Sequence, residues 1–330
     1  MSRRSDWLTG GPRAPESRPI PPAGAVTCLS REAMATLFEV QFPDVGIPRG
    51  IALLVFDEID AIERQLSVYR PDSEVSLLNS KGHLSPQKVE SRLFQLLADC
   101  HRIWAETGGA FDITAGPLIR AWGFLRREGT LPPHEELVSL LSRVGSQRLK
   151  FDLRSETILF EREGIEINLG AIGKGYAIDR AIEQLQPRGL QSALLSAGKS
   201  SIRAVGDAPG NRGWPVELSD PFLSGGRLGI VTLEDRALST SACTEQFFEH
   251  GGKRYGHIID PRTGWPAPPD RQVTVLADTA ARAEALSTAF YVLGQDWARD
   301  YIRKDPTLGA IYVEKQDSGT ACDVLGNVAW

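Results

Sequence analysis

Apolar side chains fall at Phe38, Val40 and Phe42 with Glu39 and Gln41 between them, and this period of two predicts a strand over residues 36–42. The period then lengthens. Ile51, Val55, Ile59, Ile62 and Leu66 recur three and four residues apart, which predicts an amphipathic helix over 51–66. Leu93, Leu96, Leu97, Cys100, Ile103 and Trp104 repeat the pattern over 91–106, and Gly108-Gly109 supplies its stop. A helix around 134–144 and a hairpin of residues 149–153 and 158–161 are expected next.

The pattern changes character within residues 165–179. Ile165, Ile167 and Leu169 lie on one face and Glu166 and Asn168 on the other, which predicts a strand. Gly170, Gly173 and Gly175 then free the backbone to turn and to approach a ligand. From Lys174 onward Ile178, Ile182 and Leu185 predict a helix. A strand that passes through glycines into a helix presents unpaired N–H groups and the positive end of the helix dipole. Lys174 adds a full charge, so the spot suits a phosphate. The spacing matches neither Gly-x-x-x-x-Gly-Lys-[Ser/Thr] nor Gly-x-Gly-x-x-Gly, and a tight turn beside a solvated lysine is the alternative.

Further strands are expected at 192–196, 202–205, 214–218, 229–233, 237–241, 273–277 and 309–313. Helices are expected over 280–293, with Ala283, Leu286, Phe290 and Leu293 inward, and over 297–304. Gly251-Gly252 reads as a polar hinge. No internal repeat is present, and the irregular mixture of strands and helices favours an α+β fold over a βαβ series.

At 330 residues the chain has room for one large domain or two intimate ones. Residues 1–25, rich in Pro, Gly, Ser and Arg, read as a flexible N-terminal arm, and 26–330 as the folded part. A net charge of −5 without a Lys/Arg run argues against nucleic acid as the main partner. No window is apolar enough to span a membrane, and no apolar segment follows Arg3-Arg4, so the chain reads as cytoplasmic. The four cysteines form no Cys-x-x-Cys pair and the five histidines show no zinc spacing.

Several side chains carry candidate chemistry. Pro71-Asp72 makes a turn and Ser73 can cap the segment after it, which leaves Tyr69 on a loop where its ring can stack on a base or flavin. A half-buried strand tyrosine is the ordinary alternative. Asp112 and Thr114, two apart, either accept hydrogen bonds from a ligand or cap a turn. Glu284 and Thr288 are four apart on one helix face, a carboxylate and a hydroxyl suited to a hard cation, or simply a surface hydrogen bond.

Taken in order, several segments carry a resemblance: Met34-x-Thr36; Tyr69 with Ser73-Glu74 and Asn79; Gly109-Ala-Phe-Asp-Ile-Thr114; Gly170-Ala-Ile-Gly-Lys-Gly-Tyr-Ala-Ile-Asp179. Trp214 with Asp220-Pro221, Thr240-Ser241, His257-Ile-Ile-Asp-Pro-Arg-Thr-Gly264 and Ala283-Glu-Ala-Leu-Ser-Thr288 continue it. The chain from about Met34 onward resembles the ApbE family of FAD-dependent flavin transferases. The resemblance implies an α+β, T-fold-like architecture of mixed, largely antiparallel sheets with packed helices. It also implies an enzyme that splits the pyrophosphate of FAD and places FMN on a Thr or Ser hydroxyl of an acceptor protein. AMP leaves, and the reaction uses Mg²⁺. By position Met34, Tyr69, Ala110, Phe111, Asp112, Asn168 and Lys174 correspond to FAD-contacting residues, and Ala171 (through its carbonyl), Glu284 and Thr288 to metal ligands. His257 is the candidate for proton handling on the acceptor hydroxyl, with a loop histidine bonded to backbone as the alternative; Asp260 either orients it or shapes the turn.

Departures from the family pattern are Asn168 and Glu284, each where Asp is usual, Ala242 for Gly, Gly256 for a frequent second histidine, and Lys199-Ser200-Ser201. They keep two other activities in view, an FAD pyrophosphatase yielding AMP and FMN and a flavin-binding protein without turnover. Ser318-Gly319-Thr320-Ala321 is too short to make the chain its own flavin acceptor.

Overall fold

The alternation around Phe38 becomes the strand Thr36–Pro43 (β2), paired with Val26–Ala33 (β1) across a turn at Met34 and Ala35. The structure, a computed structural model, describes residues 17–19, 24–44, 49–223, 225–244, 246–316 and 319–330. Most of the expected N-terminal arm, the Ile51 side chain and Ser318 therefore lie outside the described residues.

The remaining strands of the main sheet are Ala193–Ala197 (β3), Ser201–Val205 (β4), Ala237–Ala242 (β5), Arg271–Ala277 (β6), Gly309–Gln316 (β7) and Gly319–Gly326 (β8). In space they run β8-β7-β6-β5-β4-β3-β2-β1, so neighbours on the sheet are neighbours in chain order, and every pairing is antiparallel. The helices are α1 (Arg49–Leu66), α2 (Glu74–Lys81), α3 (Ser91–Glu106), α4 (Gly116–Ala121), α5 (His134–Leu141), α6 (Gly173–Leu185), α7 (Ala280–Leu293) and α8 (Gln295–Lys304). The fold is α+β. No helix among the described residues is long and apolar enough to cross a membrane.

The described chain falls into two compact units. Unit 1 takes in residues 64–169 and the described part of 243–269; unit 2 takes in the described parts of 17–63, 170–242 and 270–330. In unit 2 the parity of each strand sorts its side chains. Leu238, Leu276 and Ile311 pack with Trp214, Val216, Leu218, Val231 and Leu233 of the small sheet formed by Ser17–Pro19, Trp214–Ser219 and Arg227–Leu233. Ser241, of opposite parity to Leu238, meets Ser287 of α7 instead (2.9 Å). In unit 1 a core of Leu118, Trp122, Leu137, Val144, Phe248 and Ile259 ties α4 and α5 to the hairpin Phe247–His250/Lys253–Gly256.

Three expectations are corrected. Residues 165–169 are extended but make only an isolated bridge, Glu166 to Ala115. The apolar parity is real, for Ile165, Ile167 and Leu169 are buried. No ladder forms because the Asn79 amide takes both backbone groups of Ile167 (2.7 and 2.9 Å) and Asn168 N–H donates to Ile113 O (2.7 Å). Gly251-Gly252 is not a hinge but the hairpin turn, with φ of +58° and +76°. The glycines at 170, 173 and 175 do not have positive φ, so they serve no left-handed turn.

Met34 and Ala35 hold φ of +50° and +58°, the geometry of a tight hairpin turn that asparagine and glycine usually fill. Ala35→Gly removes a Cβ penalty of roughly 1–2 kcal/mol against a glycine entropy cost of roughly 0.5–1 kcal/mol. A small rise in Tm is expected, and a fall on thermal melting would show that the turn is not strained.

Candidate functional site

In unit 2 the candidate residues converge on the start of α6 and one face of α7. Gly175 and Asp179, one turn apart on α6, both face the N-terminus of α7. A Cβ on Gly175 would stand 2.3 Å from Ala280 O, so this glycine is required by close helix approach. Asp179 Oδ1 accepts from Ala280 N–H (2.9 Å) and from Arg203 Nη1 (2.5 Å), and Oδ2 accepts from Ala281 N–H (2.9 Å). A carboxylate there satisfies two orphan donors and meets the positive end of α7. Burial pushes the Asp179 carboxyl above its usual range, and Arg203 and the two N–H groups oppose that shift.

The same helix pair carries Glu284, which is 4% exposed. Its Oε1 accepts the Lys174 ammonium, and its Oε2 accepts Gly175 N–H (2.6 Å). Lys174 is therefore not a solvated lysine, and Glu284 is not a surface residue. Thr288 Oγ1 donates to Glu284 O (3.2 Å) and lies 3.5 Å from Ser241 Oγ. Among the described residues no cluster of three or more His, Cys, Asp or Glu could hold a metal. The expected donors are one carboxylate (Glu284), one hydroxyl (Thr288) and the Ala171 carbonyl, all hard oxygens. Mg²⁺ is commonly held by one or two carboxylates together with substrate phosphates and water, so this set fits Mg²⁺ shared with a phosphate. The ammonium on Glu284 is a cation already in place. Met34 sits half-buried in its strained turn in this unit.

Unit 1 holds the other candidates. Asp112 Oδ1 accepts from Thr114 N–H (2.8 Å), Thr114 Oγ1 (2.7 Å) and Ser146 Oγ (2.7 Å), and Oδ2 accepts from Ser146 N–H (3.0 Å). These are the contacts of a capped turn. Burial raises the Asp112 carboxyl and those four hydrogen bonds oppose it. Ala110 and Phe111 are each 1% exposed, so their side chains belong to the core. Tyr69, by contrast, is 71% exposed on its loop, and its hydroxyl donates to Leu125 O (3.4 Å). Beside that loop lies a cavity of about 280 Å³ lined among others by Val68, Ser76, Asn79, Arg120, Glu166 and Asn168. Arg120 Nη2 donates to Glu166 Oε2 (2.7 Å) on its wall.

The His257 loop is tied down at several points. The Asp260 carboxylate takes Arg262 Nε and Nη2 (2.8 Å each) and Arg262 N–H (3.0 Å), which shapes the turn. Gly264 N–H donates to Asp260 O (2.9 Å), and Trp122 Nε1 donates to Gly264 O (2.8 Å). His257 N–H and Nδ1 both lie 3.1 Å from Gln246 O. A carbonyl only accepts, so that contact places the proton on Nδ1 and makes Nε2 the basic nitrogen.

Next to it, a Cβ on Gly256 would lie 2.2 Å from the Sγ of buried Cys243. Cys243 thus fills the space that a second histidine would need. Gly256→Ala is expected to destabilise by about 1–3 kcal/mol through overpacking, and Cys243→Gly in the same chain to recover most of it. Additive losses in a denaturant double-mutant cycle would break the link. Asp179, Arg203 and Cys243 carried no assigned role in the sequence; Asp179 closed a recognised motif, while nothing near Arg203 pointed to its partner.

The sequence profile of the ApbE family matches residues 34–312. The FAD:protein FMN transferase of Haemophilus influenzae is 29% identical over 306 residues, covering 89% of this chain and 88% of that protein. The protein of the same name from Treponema pallidum is 31% identical over 276 residues, 78% of this chain and 75% of its own length. The crystal structure of the ApbE protein of Thermotoga maritima superposes with a TM-score of 0.83 at 28% identity, covering 91% of this chain and 97% of that one. The motifs, the fold and these relatives agree: this chain belongs to the ApbE family.

Proposed function

We propose that this enzyme transfers FMN from FAD to a Thr or Ser hydroxyl of an acceptor protein and releases AMP. The observation that carries the reading is Lys174 at the first turn of α6, its charge balanced on buried Glu284. A cation at a helix N-terminus suits a pyrophosphate, because both the ammonium and the dipole favour its charge. The acceptor oxygen attacks the phosphorus of the FMN half; the new P–O bond forms as the pyrophosphate P–O bond breaks, and AMP carries away the bridging oxygen. His257 takes the hydroxyl proton on Nε2. Ala171, Glu284 and Thr288 would hold Mg²⁺, which when bound neutralises phosphate charge. Asn168 and Val68, the neighbour of Tyr69, line the unit 1 cavity, which at about 280 Å³ is near the lower end of small-molecule pockets and would take a ring of the dinucleotide.

The test is AMP release from FAD with and without Mg²⁺, in the presence of an acceptor bearing a flavinylation motif. Mg²⁺-dependent AMP matched by covalent flavin on the acceptor is the expected result. AMP without labelled acceptor, at any acceptor supplied, would assign hydrolysis of FAD instead. FAD binding without AMP would leave a flavin binder.

A further inference from the structure

Glu284 is the only carboxylate among the expected metal donors, and both of its oxygens are occupied by groups of its own unit. Its carboxylate reaches Lys174 Nζ and Gly175 N–H together. An ammonium and a divalent cation compete for the same oxygen, since each brings positive charge to a carboxylate that is 5% exposed and weakly screened. The Lys174 side chain is 25% exposed, so its head can leave Glu284 toward a ligand without unfolding α6. Gly175 N–H cannot leave, because it is fixed in the first turn of α6 and packed on Ala280.

From this geometry we infer that Lys174 is a gate on metal loading: its ammonium holds the cation seat on Glu284 until a pyrophosphate draws it away. The divalent cation then enters together with the phosphates rather than before them. A phosphate oxygen offers the ammonium a charge-assisted hydrogen bond in exchange for the one to Glu284, and the vacated Oε1 becomes a metal donor. The order of binding is thereby built into one ion pair. The inference rests on the flavin-transfer reading only in taking a pyrophosphate as the anion.

The test is a Mn²⁺ titration followed by electron paramagnetic resonance on the whole chain, with ADP as the pyrophosphate probe and the Mn²⁺–ADP complex measured separately. The wild type is expected to bind Mn²⁺ weakly alone and about tenfold or more tightly with ADP. Lys174→Met is expected to bind Mn²⁺ about tenfold more tightly than the wild type without ADP, and to lose most of the ADP effect. Lys174→Arg keeps a cation on Glu284 and is expected to keep the gate, while Glu284→Gln is expected to remove Mn²⁺ binding in every arm. Equal Mn²⁺ affinity of wild type and Lys174→Met without ADP, with both binding in its presence, would overturn the gate and leave the metal site standing. No Mn²⁺ bound by any variant even with ADP would overturn the metal assignment and the gate with it.

Discussion

Replacing Arg203 with methionine is expected to destabilise the protein by about 3–5 kcal/mol, because it leaves the buried Asp179 carboxylate without its counter-charge. Asp179 is 6% exposed, and its remaining partners are the N–H groups of Ala280 and Ala281. The loss has a pH signature. Burial already raises the Asp179 carboxyl above its usual value in the native chain, with Arg203 the largest opposing influence. Without Arg203 the folded-state value rises further, so the folded chain binds more protons than the unfolded chain across the interval between the two values. Stability then falls as pH rises through that interval, and levels off above it. Below the unfolded carboxylate range both states hold the proton and the electrostatic part of the loss vanishes. Urea unfolding of wild type and Arg203→Met at a mildly acidic and a mildly alkaline pH is expected to show the larger gap at the alkaline one. Asp179→Asn in the same chain is expected to remove the pH dependence, since an amide carries no charge, and to recover only part of the loss, because its NH₂ replaces an acceptor for one of the two N–H groups. A gap that does not change with pH would mean that Arg203 acts by packing its alkyl stem.

This brace also bears on the site. Asp179 fixes the first turn of α7, and Glu284 lies one turn further along the same helix. Gly175 allows α6 to come close enough for its own N–H to reach Glu284. The two helices are thus joined at Asp179 by capping and at Glu284 by an ion pair. Loosening the first joint is expected to move the second.

The legible parts of the fold are those where apolar parity was strong. The buried strands β3, β5 and β6 and the helices over 91–106 and 280–293 were readable because their side chains meet a core on one or both faces. Strand β8, GTACDVLG, was not, because only Leu325 of it is buried and an exposed edge needs no apolar alternation. Strand β1 was missed for the same reason, at the opposite edge of the sheet. Residues 165–169 had the parity of a strand but not its partner, and only the fold brings Asn79 to Ile167, 88 residues away. At the candidate site, the residues were legible and their partners were not. The spacing of Glu284 and Thr288 was visible on one helix, but Lys174 is 110 positions from Glu284. Asp112 and Thr114 announced a turn, yet Ser146, 34 residues on, is what saturates the carboxylate. The absence of a histidine at 256 looked like a lost group, and Cys243 gives it a steric cause.

His257→Ala is expected to slow flavin transfer to the acceptor by roughly 10²–10⁴-fold, the usual contribution of a positioned general base. Gln246 O lies 3.1 Å from both the backbone nitrogen and Nδ1 of His257, so one carbonyl fixes the ring's tautomer and its orientation together. The loop that bears it is anchored by the Asp260–Arg262 pair and by Trp122 on Gly264 O, which holds the imidazole on a defined turn. Removal of the ring deletes the base but none of those anchors, so FAD binding followed by flavin fluorescence is expected to be unchanged. Imidazole added to the variant is expected to restore part of the transfer rate, because the space that the side chain vacates can admit it. His257→Gln, which cannot take a proton near neutral pH, is expected to behave as the alanine variant does. A transfer rate within about twofold of wild type would remove His257 from the chemistry and leave the acceptor hydroxyl to lose its proton to another group. A loss of FAD affinity as large as the loss of rate would instead make His257 a binding residue for the flavin nucleotide.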